Sequence, residues 1–492
     1  MLYSGCFSVK NGSSFYVSVV KESLVYLIFT KGALRSSYFA ESMGYFILKL
    51  IFRLALKIFY QKIEVKQSGS LPAKGPLLLV ANHPNTFMDP IVIASLLRQE
   101  VYFIAKSTVF NTPFRKWLLG KMNLIPVYRK EDGVATAGAN SAIFEKCYEF
   151  LQANGTLLIF PEGNSFNERR LRPLKTGAAR IALGAAAQSN FAQTVTILPV
   201  GLNYSEPTRF RSKVLVNIAS PIVVNDLAAI YQQDSTRAVR LLTEQIRAAL
   251  ESQIIHTYSE EDDELVKQVE AVYKSKLVTD HQVNNSVEEF ELTRHLVASL
   301  EFFKNIHPER VKHIQQKLAA YLAQLNQLRL NDQVFYDAAG NRHLGKWLFT
   351  SGLFFLIGLP LYLFGLITNY LPYILPAKVA AALTEEEEFT APILLSTGIF
   401  TFPLFYALEC YLVWYFTHAW FVVLLFLIML PVAGFFVLYY YQKFKKVRTT
   451  LKLQTLFFRD RKLISGLMQQ RESLLAELEF AHQQYIQKIE SV

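Results

Sequence analysis

Three long stretches almost free of charge, at residues 347–370, 392–418 and 419–441, set the first limit on how this chain folds. Each exceeds the roughly 20 apolar residues that a helix needs to cross a bilayer. Gly352, Gly358, Pro360 and Gly365 interrupt the first. Glu409 lies within the second, and a carboxylate at that depth needs a partner or an aqueous cavity unless it sits in a bend near the interface. Arg342 and Lys346 precede the first stretch, and Lys443, Lys445, Lys446 and Arg448 follow the third. The positive-inside rule assigns both flanks to the cytoplasmic side. Two flanks on one side require an even number of crossings, so either one of the three stretches is re-entrant or two form a hairpin. Residues 347–442 are thus expected in the membrane, and the remainder must fold outside it.

The remainder divides by pattern and charge. Residues 67–225 alternate short β-rich apolar runs (77–81, 101–105, 156–160, 195–200, 214–218) with helical patterns (90–98, 111–121, 136–152, 175–187). That alternation predicts an α/β domain, a mainly parallel sheet flanked by helices. Residues 226–346 read as an acidic helical segment, in which Glu260–Glu264 is a solvated helix start or loop. The tail, 443–492, is helix-favouring, with leucines that either pack on the helical segment or drive self-association. The three cysteines, Cys6, Cys147 and Cys410, are far apart and lack metal-ligand spacing, so no disulfide framework, metal site or cofactor is predicted.

Residues 1–42 form an extension of unassigned meaning, and Met43 opens a clearer pattern that makes it an alternative start. From there Lys49, Arg53 and Lys57 recur at i, i+4 and i+8 on an otherwise apolar helix. Segment 43–66 is read as an interfacial amphipathic helix, its cationic stripe toward anionic headgroups. The net charge of +11 is concentrated here: +4 over 43–66 and +8 over 67–225, against −6 over 226–340. Basic surface of this kind attracts phosphorylated substrates, anionic lipid or nucleic acid. Membrane phospholipid is the expected partner and nucleic acid is not, because no nucleic-acid motif accompanies the charge.

Four segments carry chemistry. The first, Asn82-His83-Pro84-Asn85-Thr86-Phe87-Met88-Asp89-Pro90, follows the run 77–81. A histidine at a strand end, with a carboxylate six positions on, supplies a general base and a group to hold its tautomer. Read alone, Asp89 is equally a first-turn helix carboxylate. The second segment is Asn123–Arg129; the third, Phe160-Pro161-Glu162-Gly163-Asn164-Ser165, follows a strand; the fourth, 197–202, lies on one. Strand carboxyl ends are where open α/β sheets build sites, and His83 is the one histidine of the α/β domain.

These four blocks, in order over about residues 43–225, resemble the glycerolipid acyltransferase superfamily. Five residues separate His83 from Asp89 where the family usually has four. That form is similar to the fungal-type glycerol-3-phosphate/dihydroxyacetone-phosphate acyltransferases and their bacterial relatives. The resemblance implies a membrane-bound enzyme in which His83 and Asp89 are catalytic and Arg129 binds the acceptor phosphate. It implies substrate binding by Glu162 and Gly163, with Lys175 as a second phosphate ligand. Pro199 and Gly201 match the acyl-donor block, with a purely structural turn as the other reading. The implied reaction moves a fatty acyl group from acyl-CoA or acyl carrier protein to glycerol 3-phosphate, giving lysophosphatidic acid. The alternatives are acylation of lysophosphatidic acid itself and a catalytically silent membrane lipid-binding protein. The implied location is an inner membrane or its equivalent, catalytic domain on the cytoplasmic face.

Overall fold

In the computed structural model, the described residues are 44–68, 75–127, 136–280, 285–335 and 344–490. Strands β1 (Lys62–Gln67), β2 (Leu77–Ala81), β3 (Tyr102–Lys106), β4 (Leu124–Val127), β5 (Thr156–Ile159), β6 (Thr196–Tyr204), β7 (Lys213–Ile218) and β8 (Ile222–Val223) form one sheet. Their spatial order is β1-β7-β6-β2-β5-β3-β4, with β8 pairing β6. The pairs β2–β5, β2–β6, β3–β4, β3–β5 and β1–β7 are parallel. β6 runs antiparallel to β7 and β8, so the mainly parallel sheet turns over at one side. β2 is buried throughout, as an unbroken Leu-Leu-Leu-Val-Ala run at the sheet centre requires.

Helices cover both faces. Helix α1 spans 44–59, and α2 (Met88–Leu96) follows β2. Next come α3 (Pro113–Lys121), α4 (Thr136–Gln152) and α5 (Gly177–Gln188). Beyond the sheet lie α6 (Ala228–Gln233) and α7 (Ser235–Gln253). α4, α5 and α7 cover one face through Cys147, Leu151, Ile181, Leu183, Leu242, Ile246 and Leu250. α1 and α2 cover the other through Leu56, Phe59, Met88, Val92 and Ile93. Each large apolar side chain among these contributes about 1.5–3 kcal/mol on burial.

Two features depart from the sequence reading of 43–66. Residues 62–67 are the sheet's edge strand β1, in register with β7 from Lys62↔Lys213 to Gln67↔Ile218. A six-residue strand beside a helical pattern is masked by the lysines of both. The cationic stripe is also split. Lys49 Nζ turns inward and donates to Leu97 O (2.7 Å) and Gln99 O (3.2 Å), capping α2, whose last turn has no basic residue. Burial, with Arg53 beside it, lowers the Lys49 pKa. Arg53 and Lys57 stay exposed, and beside them α1 exposes an apolar stripe: Phe46, Ile47, Leu50, Ile51, Leu54 and Ile58.

The acidic segment forms α8 (Glu260–Asp280), α9 (Ser286–Ile306) and α10 (Pro308–Gln327). The tail helix α14 (Arg461–Glu490) packs into them through Ile464, Leu467, Leu474 and Leu478. Of the two readings of the tail, the structure shows packing on the helical segment.

Helices α11 (Leu344–Leu383), α12 (Glu387–Thr417) and α13 (Trp420–Arg459) are long and apolar enough to cross a membrane. Phe349, Ile367, Phe400, Phe416 and Phe421 are each more than 70% exposed, a surface that water does not suit. α11 and α13 run antiparallel: Tyr440 OH donates to Phe355 O (3.1 Å), and Asn369 Nδ2 to Leu430 O (3.2 Å). Lys443 lies over the Phe354 ring. Lys346 and Lys443 therefore lie toward the same end of this pair. Tyr406 OH of α12 donates to Asn369 Oδ1 (2.6 Å), so one amide ties all three helices.

Candidate active site

The site lies beyond the carboxyl ends of β2 and β5. Asn82 leaves β2 and is clamped to β6, donating to Leu202 O (3.0 Å) and accepting from Leu202 N–H (2.7 Å). That clamp fixes where His83 emerges. The His83 ring stacks on Phe160, just past β5, with centroids 3.9 Å apart and planes 11° apart. His83 Nδ1 and Asp89 Oδ2 are 2.8 Å apart. With Nδ1–H donated to Asp89, Nε2 is the nitrogen that accepts a proton.

Asp89 opens α2 and is fully buried, yet its carboxylate is saturated with donors. Oδ2 also accepts from Asn85 N–H (2.8 Å), and Oδ1 accepts from Tyr204 OH (2.7 Å). These bonds replace the hydration that burial takes away. Burial, then the charge of Asp89, raises the Tyr204 hydroxyl pKa well above its usual value, so it remains a donor. The first-turn helix reading of Asp89 and the pairing with His83 both describe this residue.

Glu162 is engaged by backbone. Its oxygens accept from His83 N–H (2.9 Å) and Arg172 N–H (3.1 Å), joining the two loops that build the site. Burial raises its pKa. Gly163 has φ +85°, and a Cβ there would stand 2.8 Å from Lys175 Cε. The positive φ favours glycine, and the flexible lysine stem fills the space that a side chain here would take. The Lys175 stem thus crosses Gly163, which lines the cavity described below.

Gly201 and Pro199 lie within β6. A Cβ at Gly201 would meet Gln253 O at 2.3 Å, so this glycine admits the end of α7. Pro199 pairs with Val80 at the sheet centre. Neither is among the cavity-lining residues, and both lie inside strand β6 rather than in a turn. Arg129 lies outside the described residues. Arg169 is held by Glu270 of α8 (2.7 Å), and Arg172 lies over the Phe166 ring.

A cavity of about 250 Å³ opens at His83 and runs between α1, α2, β3 and β4. Its walls include Leu48, Phe52, Ile91, Ala94, Phe103 and Leu124. At the His83 end stand Thr86, Phe160, Ser165 and Phe389. Two residues of the site escape the sequence reading: Tyr204, which bonds Asp89, and Phe389, which lines the cavity. Tyr204 reads as an ordinary strand tyrosine, and Phe389 lies 306 positions from His83 in an apolar region, so neither gives a local signal.

Residues 62–203 match the acyltransferase family model. Glycerol-3-phosphate O-acyltransferase 1 of Saccharomyces cerevisiae is 30% identical over 216 residues, 43% of this chain and 28% of the yeast protein. The 1-acyl-sn-glycerol-3-phosphate acyltransferase of Salmonella typhimurium is 25% identical over 205 residues, 40% of this chain and 77% of that protein. The crystal structure of the 1-acyl-sn-glycerophosphate acyltransferase PlsC from Thermotoga maritima aligns at 21% identity with a TM-score of 0.28, covering 45% of this chain and 91% of that one. The chain thus spans well under a third of the yeast relative's own length.

Proposed function

From an acyltransferase-family domain at residues 62–203, we propose a membrane-bound glycerol-3-phosphate O-acyltransferase in which His83 is the general base. The observation that carries this reading is the His83–Asp89 pair, 2.8 Å apart, opening into an apolar cavity. A glycerol hydroxyl is a poor nucleophile at neutral pH. His83 Nε2 takes its proton as the oxygen attacks the thioester carbonyl. The tetrahedral oxyanion collapses, the C–S bond breaks, and the imidazolium returns the proton to the thiolate. Asp89 holds the ring and stabilises the imidazolium, a His–Asp pair without a serine. No acyl-enzyme is needed, because the acceptor hydroxyl is itself the nucleophile.

The cavity suits the acyl chain of the donor, acyl-CoA or acyl carrier protein, by its apolar lining. Lys175, crossing Gly163, and Arg129 are the proposed ligands of the acceptor phosphate. Glu162 holds the His83 loop and, with Gly163, is the proposed substrate-binding pair. The apolar stripe of α1 lies in the bilayer interface, so that the chain enters from the lipid. The shared end of the basic flanks, from Lys346 and from Lys443, supports a cytoplasmic location for that end and for the catalytic domain with it. A second reading, acylation of lysophosphatidic acid, draws on the Salmonella relative, of which the alignment covers 77%.

The test is acyl transfer in detergent from labelled acyl-CoA or acyl carrier protein to glycerol 3-phosphate or lysophosphatidate, comparing wild type with His83→Ala. The expected result is turnover on glycerol 3-phosphate that falls on the order of 10²-fold or more in the variant. Turnover confined to lysophosphatidate favours the second reading. Full turnover in His83→Ala removes the base assignment.

A further inference from the structure

The five-residue spacer between His83 and Asp89 contains a strained residue. Thr86 has φ +36°, a region that a β-branched side chain rarely occupies. It stays there because two partners hold it. Its N–H donates to Ser165 Oγ (2.9 Å), and its hydroxyl donates to the carbonyl of Glu388 (2.8 Å), 302 positions away in the first turn of α12. That carbonyl is available for a reason written in the sequence. Its helical partner four residues on is residue 392, a proline, which has no N–H to donate.

Further contacts dock the same helix end on the site. Asn167 Nδ2 donates to Glu387 Oε2 (2.9 Å). Ala391 and Leu395 are buried in one core with Met88 and Val92 of α2. Phe389 lines the cavity together with His83 and Thr86. The membrane region therefore reaches the loop that sets the distance between His83 and Asp89.

We propose that α12 is a positioning element of the active site: the Thr86–Glu388 bond latches the His83–Asp89 loop in its working geometry, and Pro392 keeps the Glu388 carbonyl open for it. This rests on the His83 base reading. The latch touches no reacting atom, so its loss acts on kcat more than on KM for the acceptor.

The experiment measures kcat and KM in the full-length protein in detergent for Thr86→Ala, Thr86→Ser, Pro392→Ala and His83→Ala. Thr86→Ala is expected to lower kcat about tenfold, the size of one lost hydrogen bond, with acceptor KM within about twofold. Thr86→Ser keeps the hydroxyl and is expected to restore kcat. Pro392→Ala supplies a competing N–H from outside the loop and is expected to lower kcat severalfold, without touching any residue of the cavity. Wild-type kcat in Thr86→Ala, or no recovery in Thr86→Ser, overturns the latch. So does an unchanged Pro392→Ala, which also covers the case where loop variants misfold. Full activity in His83→Ala is a separate failure, that of the base reading.

Discussion

Asp89 at the start of α2 and Asp332 in the helical bundle are both buried, and each accepts a 2.7 Å hydrogen bond from a tyrosine hydroxyl, Tyr204 and Tyr321 respectively. They differ in their other partner. Asp332 meets the Arg471 guanidinium through two bonds, Nε at 2.8 Å and Nη2 at 3.0 Å, whereas Asp89 meets His83 Nδ1. A guanidinium stays protonated at any working pH, so the first pair is fixed and joins α14 to the bundle. An imidazole gains and loses a proton near neutrality, and His83 opens into a cavity. The same aspartate–tyrosine arrangement serves structure in one place and, on the proposed reading, proton transfer in the other, according to the group at its end.

The largest effects separate these roles. Asp89→Asn is expected to lower kcat on the order of 10²- to 10⁴-fold, because the amide no longer stabilises the imidazolium. Arg471→Met leaves a buried carboxylate without its cation and is expected to cost about 3–5 kcal/mol of stability. Its turnover per folded molecule should stay at the wild-type level. Thermal unfolding in detergent and initial rates, measured on both variants, check this. An Arg471→Met protein that loses turnover while keeping its Tm would break the comparison.

A smaller effect sharpens it. Tyr204→Phe and Tyr321→Phe each remove one donor from a buried carboxylate, at about 1–3 kcal/mol. For Tyr321→Phe the loss should appear only as a lower Tm. For Tyr204→Phe, Asp89 Oδ1 loses its partner, the carboxylate is held less firmly against His83 Nδ1, and kcat is expected to fall severalfold as well. A wild-type kcat in Tyr204→Phe would make Tyr204 a structural residue like Tyr321.

How much of this is legible in the sequence follows from which forces act locally. The strand at 77–81, the helix at 136–152 and the spacing of His83 and Asp89 depend on neighbours along the chain, and the α/β alternation reads directly from them. Strand β1 is hidden because an edge strand takes its identity from its partner β7, not from its own pattern. Lys49 groups with Arg53 and Lys57 on helical spacing, which shows a face but not what covers it. Tyr204 and Glu388 reach the site across 115 and 302 positions, and nothing in a single sequence marks such pairs. The contacts that tie α11 to α13 and to α12 through Asn369 are a similar case, long-range pairings that no local pattern marks.

The smallest expected effect concerns pH and contrasts two half-buried glutamates. Burial pushes Glu270 up, but Arg169 and Lys274 outweigh it and leave its pKa below the usual 4.5. Burial dominates at Glu162 and leaves its pKa raised. A lowered carboxylate contributes stability that is present above its unfolded value and lost as pH falls through its folded one. A raised one has the opposite sign, and its charge costs stability as pH rises past the ordinary value. Glu270 joins α8 to the loop of Arg169 (2.7 Å), so the bond between bundle and catalytic domain should weaken on acidification below about pH 4.5, while the Glu162 clamp gains relative to it. Arg169→Met removes the acid-sensitive bond. Between about pH 5 and about pH 3 its Tm is expected to fall less than that of the wild type, by about 1 °C. An equal fall in both proteins would assign the acid sensitivity to other carboxylates and leave the docking of the bundle to its apolar contacts.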